Sequence, residues 1–319
     1  MTRLLARLAA LLLSAVLLSA ASPAARAADK LTLLLDWHIN PDHGPIFVAL
    51  EKGYFAAAGL EVRMIEPADP NDPPKMVAAG KAELAVSYQP QLHIQVAAGL
   101  PIVRIATLIA TPLNTLMVMA DGPIKTLADL KGRKIGYSVS STEHAVLGTM
   151  LKKHKLTLKD VTLVNVNMGL TAALASGQVD AIIGGYRNFE MTQMELLGKK
   201  ARAFYVEEEG VPAFDELILV TNRNLVNDKR LRRFVDALEL GVQFMVNRPD
   251  EAWQLFIKGR KSLDNELNRR AWRDTLARFS LTPAALDRAR YERFAAFLKE
   301  NNLVKTLPPL KDYAVELAW

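Results

Sequence analysis

Short apolar runs alternate with segments of helical periodicity along most of the chain. Residues 31–35 carry four leucines and predict a buried strand. Residues 45–52 predict a helix, because Pro45 stands at its first position and Gly53 follows its last. Residues 62–65 predict the next strand. This order is typical of α/β folds, in which helices connect the strands of a sheet.

Two later stretches share one order of features. Residues 75–88 contain a helix end, a glycine, a short apolar strand and Tyr88. Residues 170–186 repeat this order and end at Tyr186, with a glycine-to-tyrosine spacing that differs by one residue. We do not infer common ancestry from so short a match. It predicts two α/β units, each of which releases a tyrosine at the carboxyl end of a strand.

The last hundred or so residues are helical. Apolar residues from Asp228 onward fall on one helix face until Arg248 and Pro249 interrupt it. We expect this part to pack back onto the first α/β unit. The chain would then cross between two lobes near residues 111–116 and near residues 217–222.

The predicted architecture is therefore α/β with two lobes, each a mixed sheet flanked by helices, and a cleft between them. We assign residues 28–113 and 220–319 to the first lobe. Residues 114–219 form the second lobe.

The first 27 residues predict a secretory signal peptide. Arg3 and Arg7 precede an apolar run that is too short to span a bilayer, and an Ala25-x-Ala27 cleavage motif follows. Removing this segment takes away three arginines and lowers the formal charge from +6 to +3. So mild an excess does not predict a nucleic-acid partner.

The chain contains no cysteine. This excludes disulfide bonds, thiolate metal sites, cysteine nucleophiles and a lipid-modified cysteine. We expect a soluble exported protein that is periplasmic, monomeric and not anchored by a lipid.

Three aromatic side chains follow predicted strands, at the edge where α/β sheets bind ligands. They are Trp37, Tyr88 and Tyr186. Flat rings that line one cleft favour a flat aromatic ligand, because offset stacking contributes about 0.5–1.5 kcal/mol per pair. The neighbouring carboxylates Asp36 and Glu190 suit a ligand with N–H donors. Local backbone N–H groups could satisfy Asp36 equally well.

A metal site is the alternative for His38, Asp42 and His43. The two histidines are five residues apart in a proline-containing loop, which is not a typical zinc-ligand spacing. We therefore predict no metal site.

The segment from Ser138 to Thr142 opens a predicted helix, and its N–H and hydroxyl groups could hold an anion or a polar ligand end. Simple capping is the alternative, since Ser140 and Glu143 have the spacing of a capping box. The chain has no nucleophile elbow, P-loop or dinucleotide-binding fingerprint.

Several motifs, densest between Leu31 and Phe55, together resemble one protein family. They are Asp36-Trp37, Asn40-Pro41-x-His43-x-Pro45, Glu51-Lys-Gly-Tyr-Phe55, Gly59-Leu60-x-Val62 and Ala78-x-Gly-Lys-Ala-Glu83. The family is the thiamine-pyrimidine family, which comprises the formylaminopyrimidine-binding proteins of ABC importers and the related fungal thiamine-pyrimidine synthases. The resemblance covers essentially the whole chain after residue 27. It implies the two-lobed (type II) periplasmic binding protein fold, with the ligand in the cleft.

In the binding proteins of this family, aromatic side chains stack on the pyrimidine and a glutamate holds its amino edge. By matching motif, the resemblance implies these roles for Trp37, Tyr88, Tyr186 and Glu190, with Asp36 where relatives often have asparagine. The complete set of candidate ligand-binding residues is Asp36, Trp37, His43, Tyr88, Ser138, Ser140, Tyr186 and Glu190.

The resemblance implies a small planar aminopyrimidine as ligand, an ABC permease of the inner membrane as partner, and no cofactor. The same fold could instead carry an alkanesulfonate, a flavin precursor or thiamine itself. Arg187, together with the start of the helix after Ser138, keeps a sulfonate possible.

An enzyme is the third alternative, because the synthases of the family use a lysine, a histidine and a cysteine-rich motif. In this chain the lysine and histidine positions correspond to Ser87 and Gln91, with His93 nearby, and residues 214–220 replace the cysteines. We therefore expect a binding protein without enzymatic activity.

Overall fold

The computed structural model describes residues 27–317, so the signal peptide predicted for the first 27 residues lies outside the described part except for its last residue. In that described range, no helix combines the length and the apolar character needed to cross a bilayer. The strands are β1 (Asp29–Leu34), β2 (Leu60–Ile65), β3 (Leu84–Ser87), β4 (Ile102–Ile109), β5 (Asn114–Met119), β6 (Lys134–Tyr137), β7 (Thr162–Asn165), β8 (Ala181–Tyr186), β9 (Ala201–Tyr205) and β10 (Leu217–Asn222).

The helices lie between and after these strands. They are α1 (Gly44–Glu51), α2 (Tyr54–Ala57), α3 (Pro73–Ala78), α4 (Gln89–Ala97), α5 (Ser140–Lys153), α6 (Leu170–Ser176), α7 (Glu190–Leu196), α8 (Lys229–Asn247), α9 (Pro249–Ile257), α10 (Glu266–Thr275) and α11 (Arg288–Glu300). Helix α1 confirms the helix predicted for residues 45–52, and the break at Pro249 separates α8 from α9.

The strands form two mixed five-stranded sheets with equivalent topology. The first has the order β2-β1-β3-β10-β4 and the second the order β7-β6-β8-β5-β9. In each sheet the first three strands are parallel, and the fourth runs antiparallel to both of its neighbours. The two-lobed α/β architecture predicted from the hydrophobic pattern is confirmed.

The chain passes from one sheet to the other twice. The first passage lies between β4 and β5, within residues 110–113, and the second lies between β9 and β10, within residues 206–216. We propose these segments as the lobe boundaries. All of β10 pairs with strands of the first sheet, so a boundary after residue 219 would cut that strand.

Helices α8 and α9 pack onto the first sheet, as the amphipathic pattern after Asp228 predicted. For α11 that prediction is only partly right, because Tyr291 packs against the first sheet whereas Phe294 and Leu298 belong to the apolar cluster of the second. Helix α8 contributes Phe234 and Leu238 to the core cluster that covers this sheet. The helix lies so close to α1 that a Cβ on Gly241 would stand 2.4 Å from the carbonyl oxygen of Pro45. Glycine at this position therefore allows the two helices to pack, and the tight packing fixes α1 beside the loop that follows β1.

Candidate functional site

A narrow cleft lies between the lobes. Seven of the eight residues predicted from the sequence line it: Asp36, Trp37, His43, Tyr88, Ser138, Tyr186 and Glu190. They converge because β1, β3 and β8 end at the cleft, and each predicted aromatic residue ends its strand or follows within three residues of it. The eighth, Ser140, is not among the lining residues.

Asp36 joins two of these residues into one hydrogen-bonded group. Its Oδ2 accepts from the Tyr88 hydroxyl at 2.8 Å, and its Oδ1 lies 2.8 Å from His43 Nε2. His43 Nδ1 accepts weakly from the Asn40 N–H at 3.4 Å, which places the ring proton on Nε2, facing the carboxylate. All three side chains are buried. Side chains therefore satisfy Asp36, and not the local backbone N–H groups considered as an alternative.

The two rings expected to stack on a ligand come from opposite lobes. Trp37 follows β1 of the first sheet, yet it packs against the apolar cluster of the second lobe. Tyr186 ends β8 of the second sheet, yet it packs against the large cluster of the first lobe. Both rings line the same cleft. A molecule in the cleft would thus contact aromatic side chains that belong to both halves of the protein.

Tyr186 and Glu190 are tied to each other through the backbone. Glu190 opens α7, and its Oε2 accepts from the Tyr186 N–H at 2.7 Å. Burial raises the pKa of the Glu190 carboxyl to about 7, against the lowering effect of that N–H. The Tyr186 hydroxyl also lowers the pKa of the nearby Glu216 carboxyl, against the larger effect of burial. The bond between Glu190 and the Tyr186 N–H ties the predicted pair together at the cleft.

The anion site considered for the start of α5 is already occupied by a side chain of the protein. The Glu143 carboxylate accepts from the Ser138 N–H at 2.6 Å, and burial raises its pKa to about 8. The Ser138 hydroxyl donates to the carbonyl oxygen of Asn167. The predicted capping box is wrong, because α5 has Val139 at its N-cap and no side-chain cap.

Ser140 instead takes part in a contact between the lobes. Asn71, in the loop after β2, donates to the Ser138 carbonyl at 2.8 Å. Its Oδ1 accepts from the N–H of Ser140 at 3.1 Å and from the hydroxyl at 3.3 Å. These hydrogen bonds connect the first lobe to the second at one edge of the cleft.

Gly184 leaves room for the Glu143 carboxylate. Its φ of +96° lies in the left-handed region, where glycine is favoured. A Cβ built on it would stand 2.1 Å from Glu143 Oε1. Because Gly184 has no side chain, the Glu143 carboxyl can occupy its position in the cleft.

Three acidic residues of the cleft were missed as ligand-site candidates. Asp42, which the sequence offered only as a metal ligand, accepts at Oδ1 from Asn188 at 2.7 Å and from Thr275 at 3.0 Å. Glu143 was considered only as a cap. Glu216 accepts at Oε2 from the N–H groups of Leu113 and Asn114, at 2.6 and 2.9 Å. No sequence motif marked Glu216, which lies one residue before β10.

Five carboxyl side chains thus line the cleft, and no lysine or arginine among the described residues does. The five are Asp36, Asp42, Glu143, Glu190 and Glu216. Burial raises the pKa of Asp42 to about 6 and that of Glu216 to about 7. Arg187, the candidate for a sulfonate clamp, forms a bidentate pair with Glu207 at 2.7 and 2.8 Å and stacks over Tyr205. The cleft is therefore rich in acceptors and lacks an anion clamp.

The positions that serve catalysis in the synthases have structural roles here. The Ser87 hydroxyl donates to Gln91 at 2.9 Å, and both side chains are buried. His93 lies in an aromatic cluster with Tyr291 and Tyr313, where burial lowers its pKa to about 3.

His38 points away from the cleft, with a side chain 63% exposed and 3.9 Å from Glu66. His43 is buried, so the two histidines considered as a metal pair do not converge. Between residues 27 and 317, no three Asp, Glu or His side chains stand close enough together to share a metal ion.

The buried carboxyls predict that the ligand-free protein loses stability as the pH rises. Folding raises the pKa of Glu143, Glu190 and Glu216 from 4.5 and that of Asp42 from 3.8. A raised pKa contributes stability that is complete below the unfolded value and is lost as the pH rises through the folded value. The free energy of unfolding should fall by a few kcal/mol between about pH 5 and about pH 8.5.

Urea titrations at a series of pH values measure this effect. The same titrations on Glu143→Gln should give a shallower slope, because that variant removes the carboxyl with the highest of the four pKa values. A wild-type profile that is flat or rises over this interval would contradict the assignment of these carboxyls as buried acids.

Comparison with known proteins connects this site to a family. Residues 40–252 match the family model described as NMT1/THI5 like. The chain is 50% identical over 292 residues to a Haemophilus influenzae protein whose name assigns it provisionally to thiamine biosynthesis, covering 91% of this chain and 93% of that one. It is 34% identical over 233 residues to the formylaminopyrimidine-binding protein of Halalkalibacterium halodurans, covering 72% and 71%. A 4-amino-5-hydroxymethyl-2-methylpyrimidine phosphate synthase of Uromyces fabae is 30% identical and covers 76% and 74%.

Solved structures give the fold. The alkanesulfonate-binding protein of Xanthomonas axonopodis, bound to MOPS, superposes with a TM-score of 0.68 at 17% identity, covering 93% of this chain and 98% of that one. A Candida albicans protein described as having the generic periplasmic binding protein fold gives a TM-score of 0.72 at 14% identity, covering 91% and 97%. These likenesses confirm the predicted periplasmic binding protein fold, and the sequence matches show that the chain belongs to the NMT1/THI5-like family.

Proposed function

We propose that this protein is the periplasmic solute-binding component of an ABC importer and binds a small planar aminopyrimidine, a precursor of thiamine. One observation carries the proposal. Trp37 and Tyr186, from opposite lobes, line a single cleft whose polar groups are mainly hydrogen-bond acceptors. The name of the Halalkalibacterium halodurans relative, a formylaminopyrimidine-binding protein, agrees with it.

Six of the lining residues have a role in this proposal. Trp37 and Tyr186 contact the two faces of the ring, and stacking contributes about 0.5–1.5 kcal/mol per ring beyond area burial. Glu190 accepts a hydrogen bond from the exocyclic amino group. Asp36 and Tyr88 complete the contacts at the ring edge, and His43 holds the Asp36 carboxylate in place.

Closure of the two lobes around the ligand fits the same architecture. The segments 110–113 and 206–216 would act as the hinge, because they are the two passages between the sheets. Asn71 would stabilise the closed form through its bonds to Ser138 and Ser140. The ligand shifts the equilibrium because only the closed form gives it both aromatic faces. The closed form would then present the ligand to a permease of the inner membrane.

Two of the alternatives, a sulfonate ligand and a synthase activity, lack supporting chemistry. A sulfonate needs cationic side chains or several free N–H groups, but Glu207 pairs with Arg187 and the start of α5 holds Glu143. A synthase reaction of the fungal type needs a lysine and cysteines, whereas Ser87 occupies the lysine position and the chain has no cysteine.

Isothermal calorimetry tests the proposal directly. The protein without its first 27 residues is titrated with 4-amino-2-methylpyrimidines that carry an aminomethyl or an N-formylaminomethyl group at position 5, and with an alkanesulfonate. We expect at least one pyrimidine to bind with a Kd of about 1 μM or tighter, a free energy near −8 kcal/mol, and the sulfonate not to bind. Sulfonate binding without pyrimidine binding would overturn the proposal.

A further inference from the structure

Helix α11 packs against both lobes and against the second passage between them. Tyr291 belongs to an apolar cluster of the first sheet, whereas Phe294 and Leu298 belong to the cluster of the second lobe. Phe294 also lies edge-to-face against Phe214 of the second passage, with 5.6 Å between the ring centroids. The helix is therefore a non-covalent connection between the lobes, and it lies at the proposed hinge.

Arg290 of α11 joins the two passages to each other. Its Nη1 donates to the carbonyl oxygen of Ala110, in the first passage, at 2.6 Å. The same nitrogen donates to Oδ1 of Asp215, in the second passage. The Asp215 carboxyl is buried, and its Oδ2 accepts from the Thr107 hydroxyl at 2.7 Å. Because hydrogen bonds between ionised groups are stronger than neutral ones, the guanidinium holds both passages against one helix.

The residue after Asp215 makes a second connection, from the cleft. Glu216 lines the cleft, and its Oε2 accepts from the N–H groups of Leu113 and Asn114 at 2.6 and 2.9 Å. Two successive residues of the second passage thus bind the first one, Asp215 through Arg290 and Glu216 directly. A carboxyl that lines the cleft is therefore only one residue away from the ion pair with α11.

Arg187 makes a looser connection between the same passages from the second lobe. It forms the bidentate pair with Glu207, which lies in the second passage. Its Nε is 3.4 Å from the carbonyl oxygen of Leu113 in the first passage, which is long for a hydrogen bond. Arg290 therefore makes the shorter contact with the first passage.

We propose that Arg290 is a positioning residue for ligand binding, because it makes the two passages bend as one hinge and keeps Glu216 in place at the cleft. The inference rests on the proposed function, in which the lobes close around a ligand. Two passages that moved independently would allow the lobes to twist as well as to close. Only a fraction of the molecules would then align the two halves of the cleft, and the apparent affinity falls in proportion to that fraction.

A ligand-free measurement tests the effect of Arg290 on the hinge. The chain has no cysteine, so Lys75→Cys in the first lobe and Lys159→Cys in the second, both at exposed positions, attach one spin label to each lobe. Double electron–electron resonance then measures the distribution of distances between the labels. We expect Arg290→Gln to broaden this distribution. A distribution as narrow as that of the labelled protein with Arg290 intact would overturn the inference.

Calorimetry with the N-formylaminomethyl pyrimidine as probe measures the consequence for binding. Arg290→Gln should weaken binding by about fivefold or more, although Arg290 is not among the residues that line the cleft. The variant also leaves the buried Asp215 without its ion pair, which destabilises the fold. The double variant Arg290→Gln/Asp215→Asn removes that unpaired charge, so it should recover stability to urea without recovering affinity.

Arg260→Gln is the matched control. The Arg260 side chain is 18% exposed, against 23% for Arg290. Within the first lobe it likewise donates to a carboxylate, that of Glu51 at 3.0 Å, and to a carbonyl oxygen, that of Phe256 at 3.1 Å. This control should lose stability to urea and keep the wild-type affinity.

The outcomes separate the inference from the proposed function. If either variant at Arg290 binds the probe as tightly as the wild type, the role of Arg290 is only structural and the inference fails. If the wild type does not bind the probe or the other pyrimidine, the proposed function fails, and the distances between the labels still test the inference.

Discussion

Replacement of Trp37 by alanine is expected to weaken aminopyrimidine binding by about 100-fold. The indole reaches from the end of β1 to the apolar cluster of the second lobe and forms part of the cleft wall. Its removal eliminates one of the two aromatic faces and opens the cleft to water. Lost stacking and lost apolar burial together amount to about 3 kcal/mol, which corresponds to about 100-fold in Kd.

Calorimetry of Trp37→Ala and Trp37→Phe with the same ligand measures this contribution. The phenylalanine variant keeps a flat ring and should lose less than about tenfold. Glu190→Gln should also lose affinity, since it replaces a charged acceptor by a neutral amide. If Trp37→Ala and Glu190→Gln both bound the pyrimidine as the wild type does, the assignment of the site would be wrong.

Gly184→Ala is expected to reduce both stability and ligand affinity, although the change adds one methyl group. The new Cβ would stand 2.1 Å from Glu143 Oε1 and 2.6 Å from its carboxyl carbon, at a residue with φ +96°. The backbone strain alone costs about 1–3 kcal/mol. The carboxylate is the far end of a flexible side chain, so it would move and lose its bond to the Ser138 N–H. We expect affinity to fall by about tenfold or more, because a hydrogen-bonding carboxyl that lines the cleft shifts out of position.

Gly99→Ala separates the two effects. Gly99, in the loop between α4 and β4, has φ +92°, and a Cβ there would have no atom within 4 Å. This control should show the same loss in urea stability from backbone strain and no loss of affinity. Gly184→Ala with wild-type affinity would mean that the position of the Glu143 carboxylate does not matter for binding.

The sequence predicted the residues whose position depends on strand ends. Trp37, Tyr88 and Tyr186 end or closely follow apolar strands, and the carboxyl ends of parallel strands meet at one edge of a sheet. That rule needs only the chain order of strands and helices, which the hydrophobic pattern shows. It therefore predicts these rings, with Asp36 and Glu190 beside them, at one cleft, and all five residues line it.

The residues that sequence reasoning missed depend on tertiary contacts. Asp42 bonds to Asn188 and Thr275, which are 146 and 233 residues away in the chain. Glu216 reaches the N–H of Leu113 from 103 residues away. No local periodicity marks such pairs.

Ser140 illustrates the opposite error. Its spacing to Glu143 matched a local capping motif, but the tertiary structure uses both residues differently: Ser140 for the bond to Asn71 and Glu143 for the cleft. The shared topology of the two sheets also cannot be predicted from local sequence patterns. The antiparallel strand in the fourth position of the first sheet, β10, comes from late in the chain.

The equivalent topology of the two sheets relates the fold to the proposed function. Each lobe presents the carboxyl ends of its parallel strands, and each contributes at least one aromatic ring and at least one carboxyl to the cleft. Because neither half has the complete set, the ligand should bind well only when both halves meet around it. A transport protein needs this coupling between ligand binding and closure, because its closed form should be populated only when the ligand is bound.

A crystal structure determined from crystals grown in the presence of an aminopyrimidine would test the central claim most directly. The account predicts electron density for a flat ring between Trp37 and Tyr186, with its amino edge toward Glu190. Density for the ligand outside this cleft, or within it but touching neither ring, would contradict the account.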